Sequence, residues 1–418
     1  MIPVVPRVLL LLPSGTYKAP DFLEAARRLH VDVVVASETE QTLADAMGDR
    51  ALVVDLSDPL GSAERIVSLA ARLPLDAVLA VDDQGLEIAA LAATELDLPA
   101  NPPEAVRRTR NKAVMRDTLS DWLAEPGRRS SDVRQPSFRV LYRDADVGRV
   151  AGAVGWPVVI KPVTVSASRG VIRADDPAEA EAAAVRVWAI LDGDGHPVRE
   201  PILVEEYVAG DEVALEGLLR GGRLDVLAIF DKPDPLTGPY FEETLYVTPS
   251  RQREAVQEAI VRSVAEAAAA MGLREGPVHG ELRIDAEGRP WLLEVAARTI
   301  GGLCARTLRF AAGASLEELV LRHALHLPID PRRERPAAGV MMLPIPAAGR
   351  LVAVHGQDEA RAVPHVTALE ISIPVGGQVR PLPEGDRYLG FLFARASTPE
   401  EVEGSLRTAH AHLDVVVE

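Results

Sequence analysis

Residues 277–298 carry the pattern that most narrows what this chain can fold into: two runs of alternating character on either side of Ala286-Glu287-Gly288-Arg289. Alternation at period two around a glycine-containing loop predicts an antiparallel hairpin. With a four-residue loop at Ala286 to Arg289, Asp285 faces Pro290, Arg283 faces Leu292, and Glu281 faces Glu294 on one side of the sheet. Val278, Leu282, Ile284, Leu293 and Val295 then point to the other side, the core. Directly opposed residues have Cβ atoms roughly 4.5–5.5 Å apart, so two carboxylates repel there unless positive charge sits between them. A divalent cation answers that need, and oxygen-only ligands select Mg2+ or Mn2+. A solvated edge on which Arg283 and Arg298 neutralise the pair answers it too. Register decides, because one residue of slip turns a glutamate to the core. Arg298 itself reaches the same side and suits a phosphate or a developing oxyanion, with Gly301-Gly302 bending the chain behind it.

The cations add a second constraint. Of 45 basic residues 41 are arginine, and the only lysines are Lys18, Lys112, Lys161 and Lys232. Such a chain uses Arg wherever either cation serves. A retained lysine therefore points to a place where a compact ammonium on a slender stem enters a phosphate site that a broad guanidinium fork does not suit, a leftover surface lysine being the plain alternative. Lys161 ends an apolar strand, and Ser166-Ala167-Ser168-Arg169-Gly170 follows as a small-residue loop able to close over polyphosphate with N–H and hydroxyl donors. No Walker A loop is present. Further on, Val204-Glu205-Glu206-Tyr207-Val208 leaves a strand for a turn at Gly210, and Glu212 opens the next strand. Backbone groups and one glutamate there suit an adenine edge, with Glu212 on ribose hydroxyls; solvated glutamates at a strand end are the plain alternative.

Around these motifs the chain divides into three. Residues 1–107 alternate strand and helix signals: Val8 to Leu12, Asp21 to Leu29 (helix), Asp32 to Ala36, Ala51 to Asp55, Pro59 to Arg72 (helix) and Ala77 to Val81. That order predicts a Rossmann-like parallel sheet. Pro13-Ser14-Gly15-Thr16 lacks the later glycines of a dinucleotide fingerprint. Residues 108–330 read as antiparallel sheet with helices, α/β and in part α+β. It opens with a helix from about Asn111 to Ala124 and a polar loop through residue 131. Thr248 and Pro249 look like the cap and first turn of a helix whose Val256, Ile260, Val264, Ala268 and Met271 share one face, closed by Gly272. Residues 331–418 form a strand-rich C-terminal unit ending in a helix from Pro399 to about Leu413.

A net charge of −17 with no basic stripe argues against nucleic-acid binding. The run from Val8 to Leu12 is far too short to span a membrane. One cysteine, Cys304, excludes an internal disulfide and sets a cytoplasmic address as the default. His323/His326 and His410/His412 lack a zinc-hydrolase framework, Cys304 reads as packing, and Asp82-Asp83 at a strand end reads as either a substrate contact or a helix cap.

Taken in order, Asn-Lys112-Ala-Val-Met-Arg, Val-Ile-Lys161-Pro, Ser-Ala-Ser-Arg-Gly170, Val-Glu205-Glu-Tyr-Val, His-Gly-Glu281-Leu-Arg and Leu-Leu-Glu294-Val-Ala-Ala-Arg298 resemble the ATP-grasp superfamily over about residues 105–325. The resemblance implies a two-lobed unit over 108–330, with a small lobe over about 112–207 and a large lobe over about 208–330. The Val-His-Gly-Glu and Glu-Val-Ala-Ala-Arg-Thr-Ile-Gly-Gly wording is similar to the L-amino acid ligases, which form dipeptides. The resemblance implies an ATP-dependent carboxylate–amine ligase working through an acyl phosphate, with ATP and Mg2+ or Mn2+ as cofactors, small-molecule acid and amine as substrates, and a homodimer as a candidate assembly. It implies that Lys112 and Lys161 hold phosphates, that Ser166, Ala167, Ser168 and Gly170 cover them, and that Glu205, Glu206, Tyr207, Val208 and Glu212 hold adenosine. It further implies that Glu281 and Glu294 carry the metal, that Arg298 stabilises the acyl phosphate, that Lys232 lines the cleft, and that Glu243 lies near the amine. Within the superfamily a purine-pathway or carboxylase-like ligase, and outside it a non-catalytic ATP-binding module, are the other readings. Two departures stand out: Ala296 replaces a common metal-binding Asn, and Ala167 replaces a glycine in the phosphate loop.

Overall fold

The computed structural model describes residues 5–41, 48–126 and 132–418, so the polar stretch at 127–131 lies outside the described residues. Four parallel strands, β1 (Arg7–Leu11), β2 (Asp32–Ser37), β3 (Ala51–Val53) and β4 (Ala77–Ala80), form a sheet in the order β3-β2-β1-β4. Their apolar runs follow from burial on both faces. Leu9 and Leu11 pack with Ile66 and Ile88 of the helices Pro59–Ala70 and Leu86–Glu95, whereas Val8 and Leu10 pack on Phe22 of the helix Ala19–Leu29. Strand order reverses between β1 and β4, and in open parallel sheets the crevice at that point, beyond the carboxyl ends of the strands, receives ligands.

A second, antiparallel sheet joins β5 (Phe138–Leu141), β6 (Val158–Pro162), β7 (Ile172–Ala174) and β8 (Ile202–Glu206) in the order β5-β8-β6-β7. The helix Pro177–Gly193 backs it through Ala180, Ala184 and Val187. A third sheet has eight strands in the order β13-β12-β9-β10-β11-β14-β18-β16. Here β9 is Asp211–Arg220, β10 Arg223–Lys232, β11 Leu245–Thr248, β12 Gly276–Ile284, β13 Pro290–Ala296, β14 Ala337–Leu343, β16 Val366–Ile371 and β18 Gly390–Ala396. The pairing of β11 with β14 carries this sheet from the middle of the chain into its C-terminal part. There β15 (Gly349–His355), β17 (Gln378–Val379) and β19 (Asp414–Val417) make a small fourth sheet. One apolar cluster takes Val8 and Leu10 from the first sheet, Phe230 and Tyr246 from the third, and Met342 and Phe391 from the C-terminal strands, so a shared core holds the parts in register.

The hairpin forms, but not with the expected loop. Asp285 to Arg289 is a five-residue connection in which the Asp285 carboxylate accepts from the N–H groups of Glu287 and Arg289. Ile284 therefore pairs with Pro290 and Arg283 with Trp291, not Leu292. A β-bulge between Glu281 and Leu282 of the ladder then leaves Leu293 as the extra residue and brings Glu281 opposite Glu294 after all. The bulge also reverses one core assignment: Leu292 is fully buried in the core, while Leu293 faces the cleft.

Thr248 and Pro249 do not start a helix. Thr248 ends β11, fully buried, with its hydroxyl donated to the Ile229 carbonyl, and the helix begins at Glu254. Sheet pairing has overridden a capping preference. The helices Leu86–Glu95, Pro103–Arg110 and Leu316–Ala324 and the strands β15 and β19 had no place in the sequence reading. Asn111 caps the helix Lys112–Ala124 by accepting from the N–H groups of Ala113 and Val114, which sets Lys112 at its first turn.

Candidate functional site

A cleft of about 800 Å3 opens between the carboxyl ends of β1 and β4, the loop joining β6 and β7, the β12–β13 hairpin and the 386–388 segment. Lys18, Lys112 and Lys161 line it and Lys232 lies just behind, bonded to the lining residues Glu212, Glu243 and Glu281; each is buried, Lys18 3%, Lys112 7%, Lys161 7% and Lys232 4% exposed. A desolvated ammonium costs several kcal/mol unless acceptors compensate it, on the order set by the ion's lost hydration. Each lysine has them. Lys112 meets Glu294 at 3.1 Å and the Val165 carbonyl at 3.0 Å, and Lys161 meets Glu205 at 2.5 Å. Lys232 meets Glu243 at 2.5 Å, Glu212 at 2.7 Å and Glu281 at 3.2 Å. Lys18, to which sequence reasoning attached no role, donates to the Val81 carbonyl and the Thr299 hydroxyl and pairs with Asp82 at 3.3 Å.

At one end of the cleft Glu205 lies between Lys161 and Arg116, whose Nε approaches at 2.5 Å. Burial pushes the Glu205 carboxyl upward, but the two cations outweigh it and hold the pKa at about 2. Lys161 is pulled down by burial, with Arg116 and Lys112 adding to the effect and Glu205 opposing it. The Glu205 carboxylate is thus held between two cations at the wall of the cleft. Arg116 escaped the sequence reading, although its i+4 spacing from Lys112 places both on one helix face. The N–H groups of Glu206 and Tyr207 are donated to Ser137 and Pro157, whereas the N–H of Val208 finds no acceptor among the described residues. Gly210, at φ +131°, sits so close to the Ile284 carbonyl that a Cβ would lie 2.0 Å from it.

At the other end the opposed glutamates are separated by cations, but not by those expected. Glu294 pairs with Lys112, and Glu281 with Lys232 and with His279 Nε2 at 3.2 Å. Neither Arg283 nor Arg298 makes a direct ion pair with these two glutamates: Arg283 binds Glu212 at 3.1 Å and the Val208 carbonyl, and Arg298 binds Asp83 while its charge still acts on Glu294 and Glu281 from a distance. His279 Nδ1 lies 2.5 Å from the fully buried Glu216, and these two carboxylates raise its pKa to about 9 against the opposing effect of burial. Burial and the charge of Glu281 push the Glu243 carboxyl up, with Lys232 opposing, and the Tyr246 hydroxyl donates to it at 2.9 Å. Glu212, Glu243 and Glu281 present oxygens that all lie within 4.8 Å of one another, a set able to hold a cation. Glu212, expected on ribose, shares its carboxylate between Lys232 and Arg283 while still lining the cleft.

Across the middle runs Arg298, 11% exposed, with Nε donated to Asp83 Oδ2 at 2.9 Å and Nη1 to the Thr299 carbonyl. Its Nη2 finds no partner among the described residues. The loop from Ser166 to Gly170 covers this region with Ala167 at φ +61° and Ser168 at φ +55°, two successive left-handed residues without glycine. Such backbone costs on the order of 1 kcal/mol per residue and persists where its surroundings enforce it. The Gly170 N–H is donated to the Pro383 carbonyl, so it is not among the donors facing the cleft. Neither histidine pair forms a candidate metal group among the described residues; His323 packs against Arg220 and Glu275, and Cys304 is buried beside Met342.

Residues 23–100 match the ATP-grasp N-terminal domain, 154–307 the ATP-grasp domain, and 341–418 the L-amino acid ligase C-terminal domain 2. The chain is 26% identical to alanine–anticapsin ligase of Bacillus subtilis over 62% of its length and 56% of that protein. It is 30% identical to carnosine synthase 1 of Gallus gallus over 80% of its length and 37% of that protein. The chain therefore spans about half, or less, of the length of these two curated relatives. The crystal structure of an L-amino acid ligase from Bacillus licheniformis superposes with a TM-score of 0.79 at 26% identity, covering 99% of both chains. With the three matched regions in order along one chain and the whole fold shared, this protein belongs to the ATP-grasp superfamily and carries a C-terminal domain of the L-amino acid ligase kind.

Proposed function

We propose that the protein is an ATP-consuming, Mg2+-dependent carboxylate–amine ligase whose acyl donor is an L-amino acid. The observation that carries the reading is the convergence of the lysines, the opposed Glu281 and Glu294, and Arg298 on one cleft. The names of its relatives support an amino acid as the donor.

In this reading adenine lies against the 205–208 turn, where the Val208 N–H is without an acceptor among the described residues, and the phosphates lie between Lys112, Lys161 and the 166–170 loop. Glu281 and Glu294 would hold the Mg2+. The fit rests on charge: among the described residues Asp83, Glu212, Glu216, Glu243, Glu281 and Glu294 face Lys112, Lys232, Arg283, Arg298 and protonated His279, six carboxylates against five cations. When bound, the ion neutralises phosphate oxygens at the reacting end.

The substrate carboxylate oxygen attacks the γ-phosphorus, the bond to the β-phosphate oxygen breaks, and ADP leaves. The amine nitrogen then attacks the acyl carbon and phosphate departs, giving an amide. In this reading the Nη2 of Arg298, without a partner among the described residues, stabilises the oxyanion of both steps. The amine arrives protonated, and Glu243, its carboxyl raised by burial, is placed to accept that proton while Lys232 holds its other side.

The test is ATP consumption over a panel of amino acids with hydroxylamine as a trap. ADP and a hydroxamate are expected. AMP with pyrophosphate would sink the acyl-phosphate route, and silence over a broad panel would favour a non-catalytic module.

A further inference from the structure

Asp83 stands at the carboxyl end of β4, in the first sheet, yet its bonds go to the other units of the molecule. The Ser166 hydroxyl and Arg298 Nε both donate to its Oδ2 oxygen, each at 2.9 Å. These donors are 132 residues apart in sequence, one in the loop over the phosphate position and one beyond the second hairpin glutamate. Next to this contact, Asp82 pairs with Lys18, and Lys18 donates to Thr299, the residue after Arg298. The seam is therefore doubly tied at 82–83 and 298–299. Holding the Nε edge of Arg298 leaves Nη2 for the cleft.

We propose that Asp83 is a positioning residue that joins loop closure to the presentation of Arg298, because one carboxylate oxygen anchors both. Arg298 then adopts its working orientation only when the 166–170 loop is shut. The inference rests on the ligase reading for the identity of the group Arg298 meets. Burial disfavours the Asp83 carboxylate, but Arg298 and the Ser166 hydroxyl outweigh that effect and keep it ionised, as an anchor for a cation must be. The orientation of a charged donor by a buried carboxylate affects the transition state more than nucleotide binding.

The experiment uses the full chain with Asp83→Asn, Asp83→Glu and Asp83→Ala. In the hydroxamate assay, Asp83→Asn is expected to lower kcat about tenfold or more while the KM for ATP moves less than about threefold, and Asp83→Glu to recover part of the loss. A kcat within about twofold of wild type, or a loss of kcat matched by an equal loss of MgADP affinity, overturns the proposal. A second readout needs no substrate: tryptic cleavage after Arg169 in the presence of MgADP, followed by mass spectrometry. Asp83→Ala is expected to quicken it at least about fivefold, since opening of the loop controls access; an unchanged rate overturns the proposal. A wild type that makes no hydroxamate with any acid refutes the ligase reading alone, and the cleavage rate then decides the role of Asp83.

Discussion

The two ends of the cleft have opposite charge balance. At the Glu205 end one carboxylate is shared by two cations, Arg116 and Lys161, with Lys112 close by. At the Glu281 end six carboxylates, Asp83 included, face five cations, Arg298 included. A surplus of positive charge in a desolvated site attracts phosphate, and a surplus of negative charge attracts a metal ion. ATP-grasp chemistry needs both within one nucleotide's length, and the difference teaches that the lysines alone do not mark the phosphate site: Lys232 belongs to the acidic end.

The largest effect expected from breaking this contrast comes at the acidic end. Glu294→Gln keeps the shape but removes the surplus charge, and turnover should fall on the order of 10³-fold, as when a group stabilising transition-state charge is lost. The thermal unfolding temperature should fall by less than in Glu205→Gln, because Lys112 keeps the Val165 carbonyl as an acceptor; retained turnover would remove Glu294 from the metal site. At the basic end the same substitution acts on folding. Glu205→Gln strands two buried cations, and denaturant unfolding should show a loss of about 3–5 kcal/mol.

The two ends also predict opposite pH limbs, measurable by denaturation in chelator. The folded pKa of Glu205 is depressed to about 2, so its contribution is present above the ordinary carboxylate pKa and fades as pH falls toward 2. That contribution is worth about 3 kcal/mol, and Glu205→Gln should lack the acid limb. The folded pKa of His279 is raised to about 9, so its contribution is complete below the ordinary imidazole pKa and fades as pH rises through 9. His279→Gln should flatten the alkaline limb by a similar amount, about 3 kcal/mol. Invariant limbs in both variants would show that the contrast is not one of charge. The smallest effect is expected between the ends. In Gly170→Ala the new Cβ meets Pro162 at 2.9 Å on a backbone with φ +71°. The cost should be about 1–2 kcal/mol in unfolding experiments.

Much of this was legible in the chain itself. Period-two alternation called for the β12–β13 hairpin, and the scarcity of lysine singled out four residues that are all buried at the cleft. The bulge at Leu293 was not legible, because a ladder irregularity leaves alternation almost unchanged and depends on what the adjoining strand β9 requires. Nor was the end of β11 at Thr248, where pairing with β14 outcompetes a local capping signal.

By itself the sequence determined the local elements and the kinds of charge available, since these depend on neighbours a few residues apart, whereas the bulge at Leu293 that sets Glu281 opposite Glu294 came from the sheet as a whole. Only the tertiary structure decided which carboxylate belongs to which cation: Glu205 to Arg116 and Lys161, Glu281 to Lys232 and His279, Asp83 to Arg298. The physical reason is that ion pairing depends on distance and desolvation in space, and Arg298 stands 215 residues from the aspartate that orients it.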